Sequence, residues 1–303
     1  PRGKRRKIVA LDTGFPSDRY ALNSVLHLRG LSPDEIVLPV APEQGKHLIR
    51  QEDIEEILDA DGEEVALVFL PGVHYATGQC FDIGRITRAA HDKGSLVGFD
   101  LAHAVGNVPL RLHDWGVDFA LWCGYKYLCG GAGAGAGCFV HQNHVTNPDL
   151  LHPAGWWGND PVERFEMRPD FEPILTAERF QLSCPSVLSM TPLIAAMELF
   201  IQAGLDKIGE KSRRLTAYLE FLLRELPEQP FDIITPGDPH RRGNQLSILL
   251  QKDAVEVADA LLENDVIIDE RPPNLIRVAP VPLYNTYTEV WRFVQIFKAV
   301  VSG

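Results

Sequence analysis

Asp100, His103 and Lys126 are the residues whose types and placement could do chemistry in this chain. The segment SLVGFDLAHAVG puts Asp100 where an apolar run ends, with His103 three residues later. The segment DFALWCGYKY puts Lys126 just past the next apolar run, between Tyr125 and Tyr127. Ligand groups in open α/β sheets gather outside the carboxyl ends of the strands, so two neighbouring parallel strands would offer an aspartate and a lysine to one crevice. Withdrawing a lysine from water favours its neutral amine, the form that attacks a carbonyl.

Pyridoxal phosphate (PLP) catalysis needs both groups. The lysine binds the cofactor covalently, and a carboxylate keeps the pyridine nitrogen protonated so that the ring accepts electrons from a carbanion. Taken singly, each residue has a plainer use, as a surface lysine or a helix-capping aspartate. Their order, together with His103 and Tyr125, favours the chemical one.

The run GAGAGA at Gly131 to Ala136 satisfies a loose dinucleotide-binding pattern. That pattern needs a strand before it, a helix opening within it and an acid about 20 residues on. Here the strand-like GCFVH follows the glycines, and no GxxxxGK[ST] loop occurs. Small residues also let backbone approach backbone or ligand. On that basis the run is expected to clear space around Lys126.

These residues need a sheet to position them. Short Val-, Ile- and Phe-rich runs (KIVALD, EVALVFL, SLVGFD, DFALWCG, GCFVH) alternate with amphipathic stretches near 17–28, 51–60 and 82–93. Such alternation marks strand-helix-strand units around a mostly parallel sheet. From Met190 to Leu226 the pattern is one long helical stretch. Then come FDIIT, QLSILL, the helical AVEVADALLEN, VIIDE, LIRVAP and a final helix. The expected fold class is α/β, with a PLP-binding large domain over 1–204 and a smaller C-terminal α+β domain over 205–303.

The formal charge is −12, which argues against nucleic acid and anionic membrane as partners. Five cysteines without CxxC spacing suggest neither a disulfide framework nor a zinc ribbon, and a reducing, cytoplasmic compartment is expected. No apolar run approaches 18 residues. The basic opening PRGKRRK reads as a solvated connector before a strand rather than a nuclear-import signal. His141 and His144 are expected in a polar loop, without a metal.

The segment GFDLAHAVGNVPLRLHDWGVDFALWCGYKYL, with the glycine-alanine run after it, resembles kynureninase, a fold-type-I PLP hydrolase. FPSD at Phe15 to Asp18, GVHYATGQ at Gly72 to Gln79, GWWG at Gly155 to Gly158 and IRVAPVPLYN at Ile276 to Asn285 extend the likeness over nearly the whole chain. The resemblance implies that Lys126 carries PLP and moves the substrate α-proton. Asp100 would pair with the pyridine nitrogen, with Asp18 a second acid nearby and His103 beside the ring. Phe15 would stack on the cofactor, flanked by Pro16 and Ser17. Tyr125 and Trp156 would contact its phosphate region, and Arg277 would clamp the substrate carboxylate, a task suited to guanidinium.

The implied reaction is hydrolysis of L-kynurenine, or its 3-hydroxy form, to the anthranilate and L-alanine, within tryptophan catabolism and NAD biosynthesis. A homodimer is implied as well. Three positions depart from the family pattern. Pro71 replaces a serine, Asn159 a histidine of animal members, and Cys184 an asparagine that reaches the ligand. Asn159 and Cys184 would line the aryl pocket, Asn159 on the substrate and Cys184 also among the cofactor-binding residues. Family members carry phosphate-binding residues in a segment with no counterpart before Phe15, so the chain as it stands is expected to bind PLP weakly or not at all. Two other readings remain open: another fold-type-I enzyme, such as a class V aminotransferase or cysteine desulfurase, and a relative retaining only fold and dimer surface.

Overall fold

The computed structural model describes residues 5–147, 150 and 152–302; the first residues of the basic opening lie outside them. Six strands form the larger sheet: β1 (Lys7–Leu11), β2 (Val37–Val40), β3 (Val65–Pro71), β4 (Leu96–Asp100), β5 (Phe119–Cys123) and β6 (Ala136–Val140). Their order is β2-β1-β3-β4-β5-β6, parallel throughout except that β6 runs antiparallel to β5. Val9, Val68, Val97 and Phe99 are fully buried, as strands covered on both faces require. The helices Gln51–Asp61 and Ile83–Asp92 add Ile54, Leu58 and Ile86 to the same core.

The smaller sheet is antiparallel, with β7 (Phe231–Ile233), β8 (Leu246–Leu250), β9 (Asp269–Arg271) and β10 (Leu275–Val278) in the order β7-β8-β10-β9. Its own core joins Ile248 and Ile276 to Leu219 and Leu223 of one helix and to Val294 and Phe297 of the last.

The structure differs from the sequence pattern in two places. The short VLPV segment forms β2, paired with β1 at the sheet edge, where a proline costs no ladder bond. The long helical stretch is two helices, Val187–Ala203 and Leu205–Arg224, bent by 88°. The bend falls at Gly204, whose φ of +84° lies where other residues are strained. Among the described residues no single helix is long and apolar enough to cross a membrane.

Pro71 ends β3 directly opposite Asp100 on β4. The Gly72 N–H takes up the next bond, donating to the Asp100 carbonyl at 2.8 Å. The missing proline donor therefore leaves the strand end that carries Asp100 in register.

Candidate active site

Asp100 ends β4 and Lys126 follows β5, its immediate neighbour in the sheet. One carboxylate oxygen of Asp100 accepts the Ala102 N–H at 2.8 Å, fixing the side chain at the strand end. Lys126 lies in a turn closed by the Cys129 N–H donating to the Lys126 carbonyl at 2.9 Å. Its Nζ stands 5.4 Å from the centroid of the Phe15 ring and 6.0 Å from that of Tyr125, within range of cation–π attraction.

Phe15 precedes the helix Pro16–Leu28, with Pro16 in the first turn, where its fixed φ suits a helix start. Pro16 and Ser17 are exposed. Asp18, in that first turn, lies close enough to Asp100 for the two carboxyls to interact. Burial, then the charge of Asp100, pushes the Asp18 carboxyl up to about 7, although Lys126 opposes the shift. Burial raises Asp100 as well, against the Ala102 N–H and Lys126. Two interacting carboxyls that burial both raises share one proton between them.

A carboxyl whose folded pKa is raised adds stability below its unfolded value, and that stability is lost as pH rises through the folded value. Asp18 ordinarily titrates near 3.8 and here near 7, so the cofactor-free protein loses stability across that window. Asp18→Asn is therefore expected to raise stability at pH 8 by about 1–2 kcal/mol, a figure discounted for the site's access to water, and to leave it unchanged near pH 4. Urea titrations at both pH values check this, and an equal shift at both would refute it.

His103 is buried, and burial, with the cations Lys126 and Arg277 nearby, pushes its pKa down to about 3. The ring is neutral at physiological pH, and its Nδ1 has no hydrogen-bond partner among the described residues. The Tyr127 ring packs edge-on against it at 5.5 Å. Burial raises the Tyr127 hydroxyl, which donates to Gln245, the residue just before β8, at 3.4 Å. Gln245 donates in turn to the Tyr75 carbonyl at 3.1 Å.

Arg277, on β10, closes the other side. Its Nη1 donates to the Tyr75 carbonyl at 2.7 Å, and its Nε and Nη2 donate to Asp269. Between the two sheets lies a cleft of about 490 Å³ lined by Phe15, His103, Tyr125, Lys126, Arg277 and Tyr284, among others. An amine, a proton-sharing acid pair, an unpartnered imidazole nitrogen and an aromatic face suit a planar nitrogen heterocycle bearing a carbonyl. The guanidinium suits a carboxylate.

The glycine-alanine run does not surround the lysine amine as expected. It folds back on the strand end: Gly124 N–H donates to Gly135 O at 2.8 Å, and Gly130 N–H to Gly124 O at 3.0 Å. A Cβ on Gly124 would stand 2.6 Å from that Gly135 oxygen and 3.0 Å from Leu193. The small residues thus allow backbone to meet backbone beneath the Lys126 turn, against the helix Val187–Ala203. Gly124→Ala is expected to cost about 1–3 kcal/mol of stability, the usual penalty of overpacking, read as a lower urea midpoint.

Trp156, Asn159 and Cys184 make their contacts elsewhere. The Trp156 ring meets Phe165 edge-on at 6.0 Å, Asn159 Oδ1 accepts the Glu172 N–H at 2.8 Å, and the exposed Cys184 thiol faces the Pro185 carbonyl at 3.7 Å. Their segment is pinned by two buried arginines. Arg164 donates to the Trp157 and Asn159 carbonyls at 2.7 and 3.0 Å, and Arg179 to the Val145 carbonyl at 2.6 Å. His141 is buried and stacks on His113 at 5.0 Å, so it does not lie in a polar loop. His144 and His91 donate to the two oxygens of Asp118, at 2.6 and 2.9 Å.

Sequence reasoning misses Tyr127, Asp269, Arg271 and Tyr284 on the cleft wall, and Tyr75 and Gln245, which bond to wall residues. A signal existed for Asp269: in a hairpin pivoting on Pro272 and Pro273, Asp269 falls directly opposite Arg277. Tyr75 and Gln245 carried none, because each matters only once the two sheets meet.

A family model described as the kynureninase C-terminal domain matches residues 208–297. The chain is 47% identical to the kynureninase of Koribacter versatilis over 99% of its own length and 70% of that relative. It is 48% identical to that of Myxococcus xanthus over 98% and 70%, and 45% identical to that of Flavobacterium johnsoniae over 100% and 72%. Among solved structures it resembles an apo cysteine desulfurase from Thermococcus onnurineus NA1, with a TM-score of 0.77 at 17% identity, covering 99% of this chain and 74% of the other. A complex of the cystine C-S lyase C-DES with cysteine persulfide gives 0.81 at 17% identity, covering 97% and 75%. These two likenesses establish the fold-type-I architecture.

Proposed function

The chain belongs to the kynureninase family, and on that footing we propose that it is a PLP-dependent hydrolase of L-kynurenine or 3-hydroxy-L-kynurenine, releasing the anthranilate and L-alanine. The observation that carries the proposal is Lys126, its amine over the Phe15 ring and in the field of the Asp18–Asp100 pair.

When bound, PLP supplies an electron sink that brings a carbanion adjacent to the amino acid's ketone within reach. Lys126 anchors the cofactor and carries a proton to and from the substrate α-carbon. Asp100, backed by Asp18, would hold a carboxylate at the heterocyclic nitrogen and so keep that nitrogen protonated. Neutral His103 and Phe15 bound the ring without adding charge. Arg277 holds the substrate carboxylate, an interaction made alike in the ground and transition states.

Pro16 and Ser17 flank Phe15 beside the cofactor, Tyr125 and Trp156 are assigned to the phosphate side, and Asn159 and Cys184 to the aryl side. The last three lead into the helix Val187–Ala203, one face of which carries Ile194, Met197 and Ile201, which are 57%, 47% and 79% exposed. That apolar face supports a homodimer in which this segment meets a second copy. The five unpaired cysteines agree with a cytoplasmic setting.

The test is a product assay with L-kynurenine and PLP, run on this chain and on one extended to its relatives' length. Equimolar anthranilate and L-alanine are expected. A keto acid instead of alanine would assign an aminotransferase, sulfur release from cysteine a desulfurase, and no product from either chain would end the proposal.

A further inference from the structure

Arg277 spends most of its hydrogen-bonding capacity on the protein. Of the five N–H donors of a guanidinium, Nε and one on Nη2 meet the same Asp269 oxygen, and one on Nη1 meets the Tyr75 carbonyl at 2.7 Å. Sharing one acceptor means that Asp269 grips the side edge of the group. One N–H remains on each terminal nitrogen, the number a carboxylate takes from an arginine fork. The Arg277 side chain is only 10% exposed, so the donors left over cannot be served by bulk water alone.

Asp269 is itself held. Its other oxygen lies 2.9 Å from Nη1 of Arg271, and the β9–β10 register sets Asp269 directly opposite Arg277. Asp269 and Arg271, two residues apart on one strand, share a face. Two guanidiniums and one carboxylate leave this corner of the cleft with one net positive charge, which still attracts an anionic substrate.

We propose that Asp269 is the positioning residue for Arg277: it clamps the side edge of the guanidinium against β9 so that the remaining fork meets the α-carboxylate of the amino-acid substrate. Arg271 keeps Asp269 turned to that task. The inference rests on the hydrolase proposal for the identity of the substrate, but not on turnover.

Calorimetry on the PLP-loaded protein tests it, with L-kynurenine and its α-decarboxylated amine as probes. Asp269→Asn is expected to bind L-kynurenine about tenfold more weakly and the amine unchanged, with Asp269→Glu within about threefold of wild type. In turnover the loss should appear in KM and leave kcat within about twofold, as for an interaction equal in ground and transition states. Equal weakening for both probes would assign Asp269 a merely structural role. Tighter binding of L-kynurenine by Asp269→Asn would show that Asp269 competes with the substrate for Arg277, and either result overturns the proposal. A wild type that prefers L-kynurenine to the amine yet releases no anthranilate would sink the hydrolase proposal alone.

Discussion

Lys126→Ala is expected to abolish anthranilate release, lowering kcat by about 10³-fold or more, the scale on which positioned proton transfer and covalent catalysis act. The amine is the nucleophilic group placed between the Asp18–Asp100 pair and the Phe15 ring. Lys126→Arg separates its two contributions. Arginine restores a positive charge beside Asp100, but it stays protonated and cannot offer a free electron pair. If charge alone mattered, the arginine variant would recover activity; it is expected to be as inactive as the alanine variant while matching wild-type stability more closely. Borohydride trapping followed by peptide mass mapping gives a second readout, with PLP mass found on the Lys126 peptide only in the wild type. Retention of more than about a tenth of wild-type turnover by either variant would show that another group does the chemistry.

Arg277→Lys should have the next largest effect, a fall of about 10²–10³ in kcat/KM for L-kynurenine. Charge-assisted hydrogen bonds contribute about 1.5–3 kcal/mol each, and a factor of ten corresponds to about 1.4 kcal/mol, so losing the two-pronged hold on a carboxylate spans that range. Lysine keeps the charge. A single ammonium cannot, however, hold Asp269, the Tyr75 carbonyl and a substrate carboxylate in one plane. Steady-state kinetics would show the loss mainly in KM. An unchanged kcat/KM would mean that the carboxylate is bound elsewhere, with Arg271 the next cation on the cleft wall.

Much of this site could be read from residue order. Asp100 and Lys126 each follow an apolar run, and the parallel-sheet rule places the ends of such runs at one crevice. The strands β1, β3, β4, β5 and β6 follow the apolar runs that predicted them to within a residue or two. The breaks were harder. Gly204 interrupts an otherwise helical pattern, and a single glycine in such a pattern costs only about 1 kcal/mol, too little to mark an 88° turn. β2 is four residues long and contains a proline, so neither alternation nor propensity announces it.

The glycine-alanine run shows the same limit at closer range. Composition said that close approach was needed; it could not say to what. Only the folded chain shows Gly124, Gly130 and Gly135 meeting one another beneath the turn, with Leu193 and Met190 behind them. The shared proton of Asp18 and Asp100 arises likewise from residues 82 positions apart, one at a helix start and one at a strand end.

By itself, then, the sequence determined most of the larger sheet, the strand ends that carry Asp100 and Lys126, and the family, because local periodicity and motif order are written along the chain. The tertiary structure decided that Asp18 and Asp100 share a proton, what grips Arg277 and how Tyr75 and Gln245 tie the two sheets together. Those properties depend on burial and on distances between remote segments, and burial and distance exist only after the chain has folded.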